Sequence, residues 1–138
     1  GPLPPEVNRE TKYWALLNIT NGTSKVSNLK LSGKLSPHAV WTGKSSVSHG
    51  ADVNYNETTK IFAWELNSLS PHQRAGVYFE MSFIPTNGQV GTQPILIEET
   101  HISATDLYIN KNITKHDINL DISLIKDGIG QAKGNEVK

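Results

Sequence analysis

The sequence predicts an all-β protein, a sandwich of about seven to nine short strands. Three observations predict it. Apolar side chains recur at every second position through successive windows of the chain. Clusters of Gly, Pro, Asn and Ser separate those windows. Few windows sustain the i, i+3, i+4, i+7 stripe of an amphipathic helix.

A strand sends alternate side chains to opposite faces, so one buried face reads as alternating apolar positions. In residues 11–20, Tyr13, Ala15, Leu17 and Ile19 share one parity, with Lys12 and Asn18 on the other. In residues 26–35, Leu29, Leu31 and Leu35 alternate with Asn28, Lys30 and Lys34. Phe62, Trp64 and Leu66 alternate in residues 60–66, and Val77, Phe79, Met81 and Phe83 alternate against Glu80 and Ser82 in residues 77–83. In residues 117–124, Ile118, Leu120, Ile122 and Leu124 oppose Asp117, Asn119, Asp121 and Ser123. Turn clusters fall between them at Thr20–Thr23, Ser36–His38, Ser48–Gly50, Asn54–Glu57, Ser70–His72, Pro85–Gly88 and Gly128–Gly130. Asn and Gly accept positive φ, and Pro cannot donate to a ladder. Asn21-Gly22 and Asn87-Gly88 are expected to form tight turns.

The expected core is Tyr13, Leu17, Leu29, Leu31, Leu35, Trp41, Phe62, Trp64, Leu66, Phe79, Met81, Phe83, Leu96, Ile118, Leu120 and Ile122. At 138 residues the chain is long enough for one such core. It is read as a single domain over 1–138, with its body at about 6–126 and a tail or linker at 127–138.

Composition narrows the function. Thirteen basic residues balance thirteen acidic ones, which argues against a basic nucleic-acid binder. Apolar runs such as Ile95-Leu96-Ile97 are too short for a membrane-spanning helix. Residues 1–10 lack the apolar core of a signal peptide. Without cysteine there is no disulfide, thiolate metal site or Cys nucleophile.

Candidate sites are few. His38, His49, His72, His101 and His116 are scattered and show no HxH or HxxxH spacing, so nothing suggests the converging ligands of a zinc site, and His38, His49 and His72, beside Ser, Pro or Gly, read as exposed loop residues. Asp52-Val53-Asn54-Tyr55-Asn56-Glu57 resembles half of a calcium loop but lacks the glycine at its sixth position, so a polar turn is expected. Asp117, Asn119 and Asp121 share one strand face and are the candidate calcium ligands, weighed against an ordinary solvated face. Glu98 and Glu99 are adjacent on a strand and point apart, unlike the facing pair of a glycosidase. No nucleophile motif or phosphate loop is present, so the chain is expected not to be an enzyme and to need no cofactor. The sequons at Asn18, Asn21, Asn56 and Asn112 carry meaning only in a eukaryotic secretory route. Trp14 and Tyr78 have the outward parity of their strands, and on neighbouring strands they would form an aromatic platform for a sugar or a partner protein.

The order of several features resembles the immunoglobulin-like conserved-repeat modules of large bacterial surface proteins. The matching residues are Pro4-Pro5, Glu10-Thr11-Lys12-Tyr13, Asn18 to Asn21, Leu35-Ser36-Pro37, Trp41-Thr42-Gly43, Phe62 to Leu66 with Leu69, Phe79 to Pro85, and Gln89-Val90-Gly91. Ser36 departs from the family pattern, and the chain after Asp106 matches poorly. The resemblance implies an immunoglobulin-like sandwich of two antiparallel sheets in an extracellular, secreted or cell-surface protein. It implies a non-catalytic spacer or adhesive module whose partners are neighbouring modules of the same parent chain. The alternative is a module binding a glycan or a surface protein through exposed aromatics and end loops.

Overall fold

Uninterrupted alternation from Thr11 to Thr20 becomes strand β1, whose side chains are buried and exposed in turn. Eight further strands follow: β2 (Val26–Leu35), β3 (Ala39–Val47), β4 (Asn54–Asn56), β5 (Ile61–Leu69), β6 (Arg74–Phe83), β7 (Ile95–Asp106), β8 (Lys111–Lys115) and β9 (Leu120–Asp121). The computed structural model describes residues 4–92, 94–107, 111–115 and 120–121, the last two groups as backbone only. The expected core positions Ile118 and Ile122, the side chain of Leu120, His116, the Gly128–Gly130 turn and the tail at 127–138 lie outside the described residues.

The strands form two antiparallel sheets in an immunoglobulin-like sandwich. One sheet has the order β1-β6-β3, and the other runs β4-β5-β2-β7-β8, with β9 also on β7. β1 pairs with β6 through ten consecutive residue pairs, from Thr11–Phe83 to Thr20–Arg74, without a break in register. β1 and β2 belong to different sheets, as do β6 and β7. Both Asn-Gly dipeptides therefore lie at crossovers between sheets rather than at the hairpins such dipeptides favour. Asn21 and Gly22 are held by the β5–β6 turn: Asn21 N–H donates to Gln73 O, and His72 N–H donates to Gly22 O. The Asn21 amide adds donors facing the carbonyls of Ser24, Leu69 and Ser70 at 2.8–3.1 Å. Asn87-Gly88 forms a short 3₁₀ turn, Asn87–Gln89, capped by Thr86.

The inner faces meet in a core of Leu29, Leu31, Leu35, Phe62, Trp64, Leu69, Val77, Phe79, Phe83, Leu96 and Ile97, all nearly sealed from solvent. Phe62 from one sheet meets Phe79 from the other with ring centroids 4.7 Å apart. Three expected core residues are only partly buried. Trp41 sits on an outer strand just before a bulge, stacking on Tyr55 at 4.6 Å and Phe79 at 4.8 Å. Leu66 lies where β2 and β5 exchange faces together, since Leu29–Leu66 and Val26–Leu69 are both register partners although the positions differ by an odd number. Asn28, at that switch, has φ 50°, a left-handed conformation that Asn tolerates well. Leu17 approaches the open end of the sandwich, where Ile19 lines a shallow apolar cavity of about 160 Å³ with Val26, Leu29, Leu69, Ile102 and Ala104.

Polar side chains inside the fold tie turns to strands. Lys60 Nζ donates to the carbonyls of Ser36 and Ala39 at 2.9 and 2.8 Å, closing the β2–β3 turn. Trp64 Nε1–H donates to His49 O at 3.1 Å. Tyr13 is an exception: the residue is 8% exposed, and its hydroxyl has no hydrogen-bond partner. Burial pushes this phenol up to about 12, because removal from water penalises the charged phenolate. A raised folded pKa means the neutral form favours folding. That contribution is complete below about pH 10 and is lost as pH climbs through about 12. Tyr13→Phe is expected to be neutral, or stabilising by up to about 1 kcal/mol, at pH 7, since an unsatisfied hydroxyl leaves the core. It should also flatten the loss of stability between pH 10 and pH 12. Urea melts of both proteins across that range check this.

Candidate functional site

The outward face of the three-stranded sheet is the candidate site. Even-numbered residues of β1 and β6 point there, because the odd-numbered ones fill the core. Register places Trp14 opposite Glu80 and Leu16 opposite Tyr78, so Trp14 and Tyr78 are diagonal neighbours on adjacent strands. Trp14 is 47% exposed and Leu16 63%. Tyr78 is half-buried: its ring lies over Gly76, and its hydroxyl donates to Asn18 Oδ1 at 3.2 Å.

Alternation misplaces Glu80, and with it Ser82, which is 6% exposed. The parity of Glu80 predicts a solvated side chain, yet Glu80 is 7% exposed, and its Oε1 has no hydrogen-bond partner. The cause is its position on the central strand. Trp14 is its register partner on one side. On the other, β3 is bulged: Trp41 pairs with Met81 and Ser45 with Phe79, leaving Thr42, Gly43 and Lys44 opposite Glu80. Gly43 has φ 93°, which lets the bulge turn. Thr42 Oγ1 donates to the Glu80 carbonyl at 3.2 Å. Trp-Thr-Gly at 41–43 is the one sequence signal of this bulge. The arrangement offers an aromatic surface for stacking on an apolar ring or side chain, beside a carboxylate that accepts from a hydroxyl or pairs with a cation.

Among the described residues the other sequence candidates do not converge. Asp52 accepts from Ser45 Oγ and from Val53 N–H. Asn56 caps the β4–β5 turn by accepting from Thr58 and Thr59 N–H. The segment expected to be a polar turn is instead strand β4 at Asn54–Asn56, paired with β5, and the turn follows at 57–60; the oxygens of Asp52 and Asn56 are engaged separately. His38 and His72 are exposed, and His49 Nδ1 meets Ser48 Oγ at 2.7 Å. Among the described residues no three His, Asp or Glu side chains gather as metal ligands. Asp117 and Asn119 lie outside the described residues, and Asp121 is described only as backbone of β9, so the calcium candidate is not placed. Glu98 is partly buried and Glu99 exposed, with φ 51° at Glu99. No helix among the described residues is long and apolar enough to cross a membrane.

No family model and no curated protein matches the sequence. Solved structures do match the fold. A major pilin subunit of Bacillus cereus, BcpA, superposes with a TM-score of 0.58 at 12% identity, over 86% of this chain and 36% of the pilin. Domains D2 and D3 of the major pilin SpaD from Corynebacterium diphtheriae give 0.52 at 10% identity, over 86% of this chain and 48% of theirs. Three N-terminal domains of the type V pilus tip protein Mfa5 from Porphyromonas gingivalis give 0.51 at 12% identity, over 73% of this chain and 21% of that one. The chain thus spans less than half the length of each of these proteins. The likeness establishes the immunoglobulin-like sandwich they share.

Proposed function

We propose that this chain is a non-catalytic structural module of a bacterial pilus or surface protein, a spacer or adhesive unit working outside the cell beside other modules of the same parent chain. The observation that carries the reading is the fold itself, which recurs in three pilus proteins of different bacteria. The use of polar side chains is consistent with it: Asn21, Asn56, Lys60 and Trp64 fasten turns and strand ends. Small-angle scattering of one, two and three copies joined in tandem tests it. A ten-residue strand spans about 34 Å, so a spacer lengthens by a similar increment with each copy. A maximum dimension that grows only as a compact globule would contradict the reading.

The outward aromatic face favours a second reading, a carbohydrate- or protein-binding module. Trp14 and Tyr78 would stack on the ligand, with Glu80 accepting from it. Under this reading the intact chain binds on a glycan array and Trp14→Ala abolishes the signal. Equal binding by both proteins rules it out.

A further inference from the structure

We propose that the free edge of β1 is a self-association site, where the β1 strand of a second copy pairs antiparallel and joins two three-stranded sheets into one continuous sheet. This goes beyond the spacer reading and does not depend on it.

The argument starts from hydrogen-bond parity. In an antiparallel pair, opposite residues that exchange bonds alternate with pairs that do not. Asn21 N–H donates to Gln73 O, and Ser48 N–H donates to Gly76 O. The first bond assigns the odd-numbered residues of β1 to the β6 ladder. The second assigns the even-numbered residues of β6 to β3. The backbone N–H and C=O groups of Lys12, Trp14, Leu16 and Asn18 therefore point away from β6, and β1 has no other strand partner among the described residues.

Proteins usually blunt such edges with bulges, prolines, inward charges or shortness. The other edge of this sheet, β3, carries the 42–44 bulge with Lys44. The β4 edge is three residues long. β1 is ten residues long, has no proline, shows no register break and exposes Trp14 and Leu16.

The occupant is a second copy because β1 complements itself. A two-fold axis at Ala15 sets Trp14 against Leu16 of the second copy, Leu16 against its Trp14, and Lys12 against its Asn18. Each apolar side chain meets another, and the two Lys12 ammonium groups stay about six residues, or roughly 20 Å, apart. The chain's zero net charge leaves no long-range repulsion between copies.

Analytical ultracentrifugation of the full chain tests this from about 10 µM to about 1 mM, a range suited to a contact below about 1,200 Å². A monomer–dimer equilibrium is expected. Leu16→Pro removes an outward N–H and leaves the β6 ladder intact, as proline on an open edge does. It should weaken the dimer at least tenfold. Leu16→Lys keeps every backbone group and should weaken it too, so the test survives if the proline variant fails to fold. The chain has no cysteine, so register is read by mixing Lys12→Cys and Asn18→Cys chains. Mixed disulfides are expected, with none from Lys12→Cys alone. A monomer at every concentration, a monomer that takes only extended peptides of other sequence, a dimer indifferent to both Leu16 variants, or disulfides between two Lys12→Cys chains would each overturn the proposal.

Discussion

Replacing Phe62 with alanine is expected to lower the unfolding free energy by about 3–5 kcal/mol, the range for removing a buried aromatic ring. Phe62 has no exposed surface and is the β5 residue that reaches across to Phe79 of the opposite sheet. Truncation removes apolar burial and leaves a cavity beneath Gly33 that neighbouring rings fill only in part. Since a domain of this size is stable by about 5–15 kcal/mol in all, the variant loses a large fraction of its margin. Chemical denaturation of both proteins, monitored by tryptophan fluorescence, measures the difference. Trp64 is suited to report it, being buried in the same sheet two residues along.

The converse substitution, Gly33→Ala, should destabilise by about 1–3 kcal/mol through overpacking. Gly33 is the β2 register partner of Phe62. A Cβ at position 33 would lie 2.5 Å from Phe62 Cζ and 2.8 Å from Cε1, well inside van der Waals contact. The ring cannot swing clear, because the core encloses it. If this collision is the whole cause, a smaller partner relieves it. Gly33→Ala should then cost less in a Phe62→Leu background than in the parent, with a coupling of at least about 0.5 kcal/mol, as expected for residues in contact. Additive costs would mean that backbone strain, rather than the ring, excludes a side chain at position 33.

These two residues also show what was legible in the sequence. Alternation names the inward residues of β1, β5 and β6 because those strands run long stretches without interruption. Tyr13, Ala15, Phe62, Trp64, Phe79, Met81 and Phe83 are all buried as their parity requires. Gly33 gives no such signal, since its role is the absence of a side chain. β3 and β7 are obscured by irregularity. The bulge at 42–44 breaks the pattern after Trp41. The register of β7 shifts against β2 near Glu99 and against β9 between Ile95 and Ile97, and Leu96 and Ile97 are both buried although they are adjacent.

The candidate site was half legible. Outward parity marks Trp14 and Tyr78, but their being diagonal neighbours depends on the register of β1 against β6, which no single strand encodes. Glu80 was hidden for a related reason. Its burial comes from what stands on the strands to either side, not from its own strand. The Lys60 contacts with Ser36 and Ala39 span more than twenty residues and depend on β5 pairing with β2.

The central claim is that alternate side chains from two sheets meet in a shared interior. The contact between the rings of Phe62 and Phe79 tests it most directly, because the two residues belong to different sheets and come within 4.7 Å. Nuclear Overhauser spectroscopy on protein with labelled phenylalanine reads that distance. A strong cross-peak between the two sets of ring protons is the result the sandwich predicts; its absence in the folded protein, with both rings open to a soluble paramagnetic quencher, would contradict it.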